Sequence, residues 1–190
     1  MLRYIRGEAR SEGPRPALFM DRDGVLNRRI VDDYVIEPSD FEPLDLAMDA
    51  AATAQMLGAA LVVVTNQGCI GVRRAEESQI MVIHALLLGV LSKRGVFLDG
   101  IYTCPHHPLA ADVSRRDCQC RKPKPGLILA AADDLNLDLS NSILIGDQLS
   151  DIEAARAAGI AEDRALLVGA VDHEDVTRFV LDVIGSQDSA

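Results

Sequence analysis

Short apolar runs alternate with longer helical stretches along residues 16–184. The apolar runs have the length of strands and few polar positions, as expected for a parallel sheet covered on both faces; they are 16–20, 59–68, 98–104, 142–147 and 165–169. The helical stretches between and after them are 45–58, 76–95, 125–137, 151–159 and 173–184. This order predicts an α/β fold with a Rossmann-like parallel sheet in three layers. In such folds, ligands bind beyond the carboxyl ends of the strands.

The length of the chain indicates one domain. Its 190 residues are enough to bury one substantial core. Residues 1–16 are rich in charge, Gly and Pro, and we predict that they form a flexible leader. Residues 17–190 form the predicted domain, because the gaps between the apolar runs are too short for a second fold.

Charge and hydrophobicity disfavour several classes of function. A formal net charge of −10 and a pI near 4.8 argue against nucleic acids and anionic membranes as partners, since both repel an acidic surface. The N-terminus lacks the apolar core of a signal peptide, and the apolar run at 80–91 is too short to span a bilayer. We therefore expect a cytoplasmic protein, in which the four cysteines are thiols or metal ligands.

Acidic residues follow two of the predicted strands. Asp21 and Asp23 end the first run two positions apart, so they point the same way, and Gly24 lets the chain turn. Asp147 ends the fourth run, and Asp151 follows one turn later. Carboxylates this close repel each other, and a site with several carboxylates suits Mg²⁺. Taken one at a time, the same acids are also explained as helix caps and turn residues.

These acids belong to a longer pattern. "DRDGV" at 21–25, Thr65-Asn66, Lys122 and "GD" at 146–147 with Asp151 resemble the four motifs of the haloacid dehalogenase (HAD) superfamily of phosphotransferases, over about residues 17–170. The resemblance implies that Asp21 attacks phosphorus to form an aspartyl-phosphate, and that Asp23 protonates the leaving oxygen and then deprotonates water. Thr65 and Lys122 would hold the phosphoryl oxygens. Mg²⁺ would be bound by Asp21, Asp147 and the backbone carbonyl of Asp23.

Cysteine and histidine residues cluster in the segment 104–120. Cys104-x-His106, an eleven-residue gap and Cys118-x-Cys120 offer four ligands typical of tetrahedral structural zinc sites. Such a zinc has no open position for substrate, so its role would be to fold a loop that is poor in apolar residues. The alternatives are a coincidental cluster, or His107 in place of His106.

The whole set of motifs is more specific than any one of them. "DRDG", "TNQ", the Cys-His and Cys-Cys pairs, "CRKP" and "GD" closely resemble the D-glycero-D-manno-heptose 1,7-bisphosphate phosphatases and the related histidinol-phosphatases. These families have the HAD fold with a zinc-stabilised loop and without a large cap domain. The resemblance implies a substrate-binding set of Tyr34, Thr65, Asn66, Gln67, Arg121 and Lys122.

Three stretches depart from the family pattern. The chain reads "TNQGCIGVRR" at 65–74, where the family usually has "TNQSGIARG". Val72 thus stands in place of a family arginine. Whether the neighbouring Arg73 takes over the role of that arginine is left open by the sequence. Cys69 in this stretch is interpreted as a loop thiol. Gln148 stands where the heptose enzymes often have lysine. The segment 27–35 is longer than usual, and its Arg28 and Arg29 either supply the missing cations or lie on the surface.

Together these observations predict a Mg²⁺-dependent, zinc-stabilised phosphatase of a small phosphorylated sugar, acting as a monomer, with heptose 1,7-bisphosphate as the expected substrate. Histidinol phosphate is the alternative within the same chemistry, with Asp32 and Asp33 as candidates to face its cationic group. A non-catalytic phosphosugar-binding domain is the alternative of another class, and the complete set of acids and lysine disfavours it. A nucleic-acid end phosphatase conflicts with the acidic charge.

Overall fold

The computed structural model describes residues 1–7, 13–45, 47–169 and 173–185. The strands of this part of the chain are β1 (Leu2–Ile5), β2 (Ala17–Met20), β3 (Ala60–Asn66), β4 (Gly100–Cys104), β5 (Ile143–Gly146) and β6 (Ala165–Leu167). Its α-helices are α1 (Met48–Met56), α2 (Gly68–Gly71), α3 (Glu77–Lys93), α4 (Gly126–Leu135), α5 (Leu149–Ala158) and α6 (His173–Ile184). Single 3₁₀ turns lie at Pro38–Asp40, Val113–Arg115, Leu139–Asn141 and Glu162–Arg164.

The strands form one sheet in the order β1-β4-β3-β2-β5-β6. All neighbours from β4 to β6 pair in parallel, and β1 is added antiparallel at the edge. In the centre, Phe19 of β2 lies between Val62 of β3 and Leu144 of β5. The carboxyl ends of β2, β3 and β5 therefore lie side by side, as the sequence predicted.

Successive residues of the central strands enter two different cores. Leu18 and Met20 of β2 pack on one face against α1, α3 and α6, whereas Phe19 packs on the other face against α4 and α5. This alternation follows from the period of two in a strand. Because both faces are covered, both sets of positions must be apolar, which explains the unbroken hydrophobic runs. The predicted three-layer α/β fold is confirmed.

Part of the segment 1–16, which was predicted to be a flexible leader, forms the strand β1. Leu2–Ile5 pairs with β4, with Leu2 opposite Thr103 and Ile5 opposite Gly100. Tyr4 packs against the core, and Arg3 forms an ion pair of 2.8 Å with Asp134. A run of four residues is too short for its alternation to be distinguished from a charged loop. Residues 8–12 of the predicted leader lie outside the described residues.

The turn after β3 is helical where the sequence predicted a polar loop. Gly68–Gly71 forms α2, and all four of its residues are buried. A side chain at Gly71 would come within 2.8 Å of the Pro105 carbonyl oxygen, so the glycine allows the segment after β4 to pack directly on α2. Within the described ranges, the segments between β2 and α1 and between β4 and α4 contain isolated bridges, single 3₁₀ turns and loops, in agreement with the predicted lack of a large cap domain. No described helix combines the length and the hydrophobicity needed to cross a membrane.

Candidate active site

Asp21 lies immediately after β2, at the centre of the sheet edge. The residue is 7% exposed, and its carboxylate accepts a hydrogen bond of 2.7 Å from the Arg22 N–H. Gly24 follows with φ +90°, and a side chain there would overlap the carboxylate of Asp147. The glycine therefore serves two purposes, because it permits the left-handed turn and lets Asp147 approach the chain after β2.

Lys122 brings a buried cation to this cluster. Its Nζ lies 3.0 Å from Asp21 Oδ1 and 2.6 Å from Asp151 Oδ1, and it donates a hydrogen bond of 2.8 Å to the Val64 carbonyl. Burial by itself would lower the pKa of Lys122, but the two carboxylates raise it above its ordinary value. The lysine is therefore charged and held on both sides.

The carboxylates around Lys122 carry more negative charge than it neutralises. Burial raises the pKa of Asp21 to about 7; Lys122 opposes this rise, and the nearby carboxylate of Asp151 adds to it. Burial and the Asp151 carboxylate also raise the pKa of Asp147. The ionised forms of Asp21 and Asp147 are thus destabilised in this structure. A bound cation, alone or together with a phosphate-bearing ligand, would stabilise these ionised forms.

Asp23 is held differently, by neighbouring side chains rather than by Lys122. The fully buried Arg22 donates to Asp23 Oδ1 through Nε (3.1 Å) and Nη2 (2.8 Å). Asn27 and Gln67 each donate one further hydrogen bond to this carboxylate, at 2.9 and 2.8 Å. Burial would raise the pKa of Asp23, but the Arg22 guanidinium and these hydrogen bonds lower it overall. Asp23 is therefore ionised and fixed in orientation in this structure.

The end of β3 supplies two polar side chains beside the carboxylates. Thr65 is 1% exposed, and its Oγ1 accepts a hydrogen bond of 2.9 Å from Gln67 Nε2. Asn66 exchanges two hydrogen bonds of 3.1 Å with the backbone of Lys122, which fixes the lysine backbone against β3. Gln67 is fully buried, bonds Thr65 and Asp23, and does not line the cavity. The structure thus places Gln67 behind Thr65 and Asp23, where it supports both side chains, and its contact with substrate stays a prediction.

A cavity of about 440 Å³ opens over Asp21, a volume in the range of small-molecule sites. The other five members of the predicted substrate-binding set line this cavity: Tyr34, Thr65, Asn66, Arg121 and Lys122. Its walls also include Asp23 and Asp151, Asp32 and Asp33, Arg29, Gln148 and Ser150. Arg73 lines another cavity, with Ser78 and Arg115, and not the cavity over Asp21.

The donor set of the carboxylate cluster fits a hard divalent cation. One oxygen from each of Asp21, Asp147 and Asp151 lies within 4.8 Å of the others. Asp147 Oδ1 is buried and accepts no hydrogen bond from the described residues. An unsatisfied buried carboxylate oxygen in an all-oxygen cluster suits Mg²⁺. The side chain of Asp23 is not part of this cluster, and the contribution of its backbone carbonyl stays a prediction.

Cys104, His106, Cys118 and Cys120 meet in a second cluster. Cys104 Sγ lies 3.5 Å from His106 Nδ1 and 3.7 Å from Cys118 Sγ, and Cys120 Sγ lies 3.3 and 3.5 Å from the same two atoms. Zinc bonds of about 2.0 and 2.3 Å at tetrahedral angles give ligand separations of about 3.5–3.8 Å. His107 instead accepts a hydrogen bond from the Leu109 N–H. The geometry thus fits a tetrahedral metal with His106 as the histidine ligand.

This second cluster lies next to the cavity. The Arg121 N–H donates to Cys118 Sγ at 3.3 Å, and Arg121 Nη1 donates to the His106 carbonyl at 3.1 Å. Arg121 and Lys122 follow Cys120 directly. The fold of the cysteine loop therefore determines where both cations enter the cavity.

Two residues of the site were missed or undervalued by the sequence reasoning. Arg22 was quoted as part of the first motif but was given no role, yet it is fully buried and donates hydrogen bonds to Asp23. Its position next to two strand-end acids was the available signal, because a charged residue directed into a core needs a charged partner. Asp151 was noted as the start of a helix, but its pairing with Lys122 depends on the approach of a distant loop.

The central strand of this parallel sheet ends in a buried aspartate, and a lysine, a strand-end threonine and a further aspartate lie beside it. This arrangement defines the class of HAD-type phosphohydrolases. Comparisons with known proteins agree. A family model described as HAD-hydrolase-like matches residues 119–179. The D-glycero-β-D-manno-heptose-1,7-bisphosphate 7-phosphatase of Escherichia coli strain K12 is 43% identical over 146 residues, covering 76% of this chain and 75% of that protein. The enzyme of the same name from Salmonella typhi is 38% identical over 179 residues, covering 92% and 94%.

Solved structures similar to this chain are also HAD-type phosphatases. A Mesorhizobium loti protein described as a HAD-like phosphatase superposes with a TM-score of 0.87 and 29% identity, covering 96% of this chain and 92% of that chain. The D,D-heptose 1,7-bisphosphate phosphatase of B. bronchiseptica, complexed with magnesium and phosphate, has a TM-score of 0.74 and 26% identity, covering 90% and 99%. The chain therefore belongs to the HAD superfamily, in the family of the D-glycero-β-D-manno-heptose-1,7-bisphosphate 7-phosphatases.

Proposed function

We propose that this protein is a Mg²⁺-dependent phosphatase that hydrolyses a phosphomonoester of a small sugar, most specifically D-glycero-D-manno-heptose 1,7-bisphosphate. The observation that carries the proposal is the buried carboxylate of Asp21 at the floor of the cavity, 3.0 Å from Lys122 Nζ. The names of relatives at 38–43% identity support the substrate. The phosphate and magnesium bound by the B. bronchiseptica structure support the reaction class.

In this proposal Asp21 is the nucleophile. An oxygen of its carboxylate attacks phosphorus, the bond from phosphorus to the sugar oxygen breaks, and an aspartyl-phosphate forms. Lys122 Nζ and Thr65 Oγ1 hold oxygens of the phosphoryl group, whose charge must be neutralised before a carboxylate can approach it. Water then attacks the aspartyl-phosphate, which releases inorganic phosphate and restores Asp21.

Asp23 is proposed to transfer the proton in both half-reactions. It donates a proton to the leaving sugar oxygen and afterwards accepts one from the attacking water. In the structure Arg22 keeps Asp23 ionised, which is the form that deprotonates water. A phosphate dianion beside Asp23 raises the pKa of this carboxyl and favours the protonated form for the first half-reaction.

The two metal sites would have different roles. Asp21, Asp147 and the Asp23 carbonyl would hold Mg²⁺, with the side chain of Asp151 close by; when bound, the ion neutralises charge on the phosphoryl oxygens. Cys104, His106, Cys118 and Cys120 would hold a structural Zn²⁺, which would fix Arg121 and Lys122 at the cavity.

We also keep the predictions of a cytoplasmic monomer. Support for the compartment comes from the cysteines: none of the four is in a disulfide, and three of them lie in the metal-type cluster, which requires reduced thiols. Light scattering of the purified protein measures its oligomeric state.

The experiment that tests the proposed function is phosphate release with Mg²⁺ from heptose 1,7-bisphosphate, other sugar phosphates and histidinol phosphate. Wild type is compared with Asp21→Asn, which keeps the shape of the side chain. Asp138→Asn is the matched control, because the Asp138 carboxylate also accepts a backbone hydrogen bond but caps the 3₁₀ turn before β5 and does not line the cavity. We expect heptose 1,7-bisphosphate to be the best substrate and Asp21→Asn to lose at least about 10³-fold in activity.

The outcomes separate chemistry from substrate. If histidinol phosphate or another ester is hydrolysed best while Asp21→Asn is inactive, the mechanism holds and the sugar assignment is wrong. If wild type releases no more phosphate than Asp21→Asn from any ester, the protein is not a phosphatase of this kind, and a phosphosugar-binding domain is the remaining interpretation.

A further inference from the structure

Two neighbouring arginines after the first motif have different surroundings. Arg28 points to the surface, where its Nε and Nη2 donate hydrogen bonds of 2.7 and 2.9 Å to the carboxylate of Glu42. Arg29 lines the cavity over Asp21, and its Nη1 lies 3.2 Å from Asp147 Oδ2. The sequence could not distinguish these two residues, but the structure assigns only Arg29 to the site.

The other cations of the cavity wall already have partners at fixed positions. Lys122 lies between Asp21 and Asp151 and is 4% exposed, so it serves the reacting phosphate. Arg121 Nη1 donates to the carbonyl of His106 at 3.1 Å, so the cysteine loop fixes the position of this arginine, whose other donors remain for the substrate. Gln148 and Ser150 on the same wall carry no charge.

The contact of Arg29 with Asp147 can be exchanged for a ligand. The Arg29 side chain is 45% exposed, and a single bond of 3.2 Å joins it to Asp147. Water solvates the guanidinium of Arg29, whereas the Asp147 side chain is 12% exposed, so this one contact holds the arginine only weakly. A guanidinium also has five donors in a planar fork that matches the oxygens of a phosphate, so most of its capacity is unused by one bond.

We propose that Arg29 binds an anionic group of the substrate remote from the reacting phosphate, and thereby selects substrates with two phosphates. This inference rests on the proposed function. The relatives are named for a substrate with phosphates at positions 1 and 7, of which the 7-phosphate is removed, so a second phosphate stays on the product. Among the described residues that line the cavity, Arg29 is the cation that neither adjoins the nucleophile nor belongs to the cysteine loop.

The test compares substrates with and without the remote phosphate. Steady-state kinetics are measured for heptose 1,7-bisphosphate and heptose 7-phosphate with wild type, Arg29→Met and the control Arg28→Met. Calorimetry with the product, heptose 1-phosphate, measures binding of the remote group without turnover. We expect Arg29→Met to lower kcat/KM for the bisphosphate by about 10- to 100-fold, mainly through KM, and to weaken product binding by a similar factor. Activity on the 7-phosphate should change less than about threefold, and Arg28→Met should match wild type.

Three results would overturn the assignment. Equal losses on both substrates would mean that Arg29 acts on Asp147 rather than on a remote phosphate. Unchanged kinetics and product affinity in Arg29→Met would mean that Arg29 does not contact substrate. If wild type hydrolyses neither ester, the proposed function fails by itself; the Arg29 assignment then depends on calorimetry, and equal or undetectable binding of heptose 1-phosphate by wild type and Arg29→Met rejects it.

Discussion

Lys122 Nζ lies 2.6 Å from Asp151 Oδ1, and both side chains are 2% exposed. The second oxygen of Asp151 accepts a hydrogen bond of 3.0 Å from the Gln148 N–H at the start of α5. One carboxylate therefore joins the loop that carries the cation to the helix that follows β5. A side chain at Gly146 would overlap Asp151, so the end of β5 makes the room for this contact.

Asp151→Asn separates the two contacts of this residue. The amide oxygen can still cap α5, but it cannot neutralise Lys122. We expect a loss of about 1–3 kcal/mol in the free energy of unfolding, below the usual cost of breaking a buried pair because Asp21 still faces the lysine. Phosphatase activity should fall by about 10- to 100-fold as Lys122 loses its fixed position. Urea unfolding and phosphate release measure the two effects, and an Asp151→Asn variant as active as Asp138→Asn would contradict the role of the pair.

His84 on α3 makes the protein sensitive to acid. It is 2% exposed, its Nε2 has no hydrogen-bond partner among the described residues, and burial together with the nearby Arg22 guanidinium lowers its pKa to about 3. Between that value and the ordinary value of 6.5, the unfolded chain binds one more proton than the folded protein. Stability from this group is therefore complete above pH 6.5 and decreases as the pH falls, by about 2 kcal/mol at pH 5.

His84→Leu should remove this dependence. We expect the difference in unfolding free energy between pH 7.5 and pH 5.0 to be about 2 kcal/mol smaller in the variant than in wild type. Urea titrations at the two pH values, with the same metal content, measure it. The same pH dependence in both proteins would show that His84 is protonated or solvated in the folded state.

The contact between α2 and the cysteine loop depends on a missing side chain. At Gly71 a Cβ would lie 2.8 Å from the Pro105 carbonyl oxygen and 2.9 Å from the His107 nitrogen, both of which are backbone atoms. Gly71→Ala should therefore destabilise the protein by about 1–3 kcal/mol, because neither atom can move without its segment. Gly89→Ala is the control, since a Cβ there meets nothing within 4 Å; it should be neutral or stabilise α3 by up to about 1 kcal/mol. Thermal unfolding compares them, and equal melting temperatures for the two variants would refute the close contact.

Cys118→Ser tests the proposed zinc site. Wild type should contain one zinc per chain by elemental analysis, and the variant should lose most of it together with several kcal/mol of stability. Activity should fall as well, because the loop that positions Arg121 loses its metal. Cys69→Ser is the control, since Cys69 is buried outside the cluster. This variant should keep the zinc of the wild-type protein. A wild-type protein without zinc, but with full stability and activity, would reject the site.

Much of the fold was predictable because its signals are local. The unbroken apolar runs of β2, β3 and β5 indicated a sheet buried on both faces, and α6 has the bounds that the pattern predicted, His173–Ile184. β1 was missed because a four-residue edge strand forms only through its pairing with β4, which the local sequence does not show. The single turn α2 was missed because its glycines have a low helix propensity. They are present because the loop after β4 packs directly on them, which leaves no room for side chains.

The sequence by itself determined which chemical groups are present: two acids after β2, a further acid after β5, a lysine after the cysteine pairs, and four metal-type ligands. Spacing and strand order were sufficient to bring these groups to one edge of the sheet. Only the tertiary structure decided how they pair, with Lys122 on Asp151, Arg22 on Asp23, Gln67 beneath Thr65, and Arg29 in the cavity while Arg28 faces solvent. The physical reason is that side-chain partners depend on burial and on approaches of less than 4 Å between segments far apart in the chain, which no local pattern encodes.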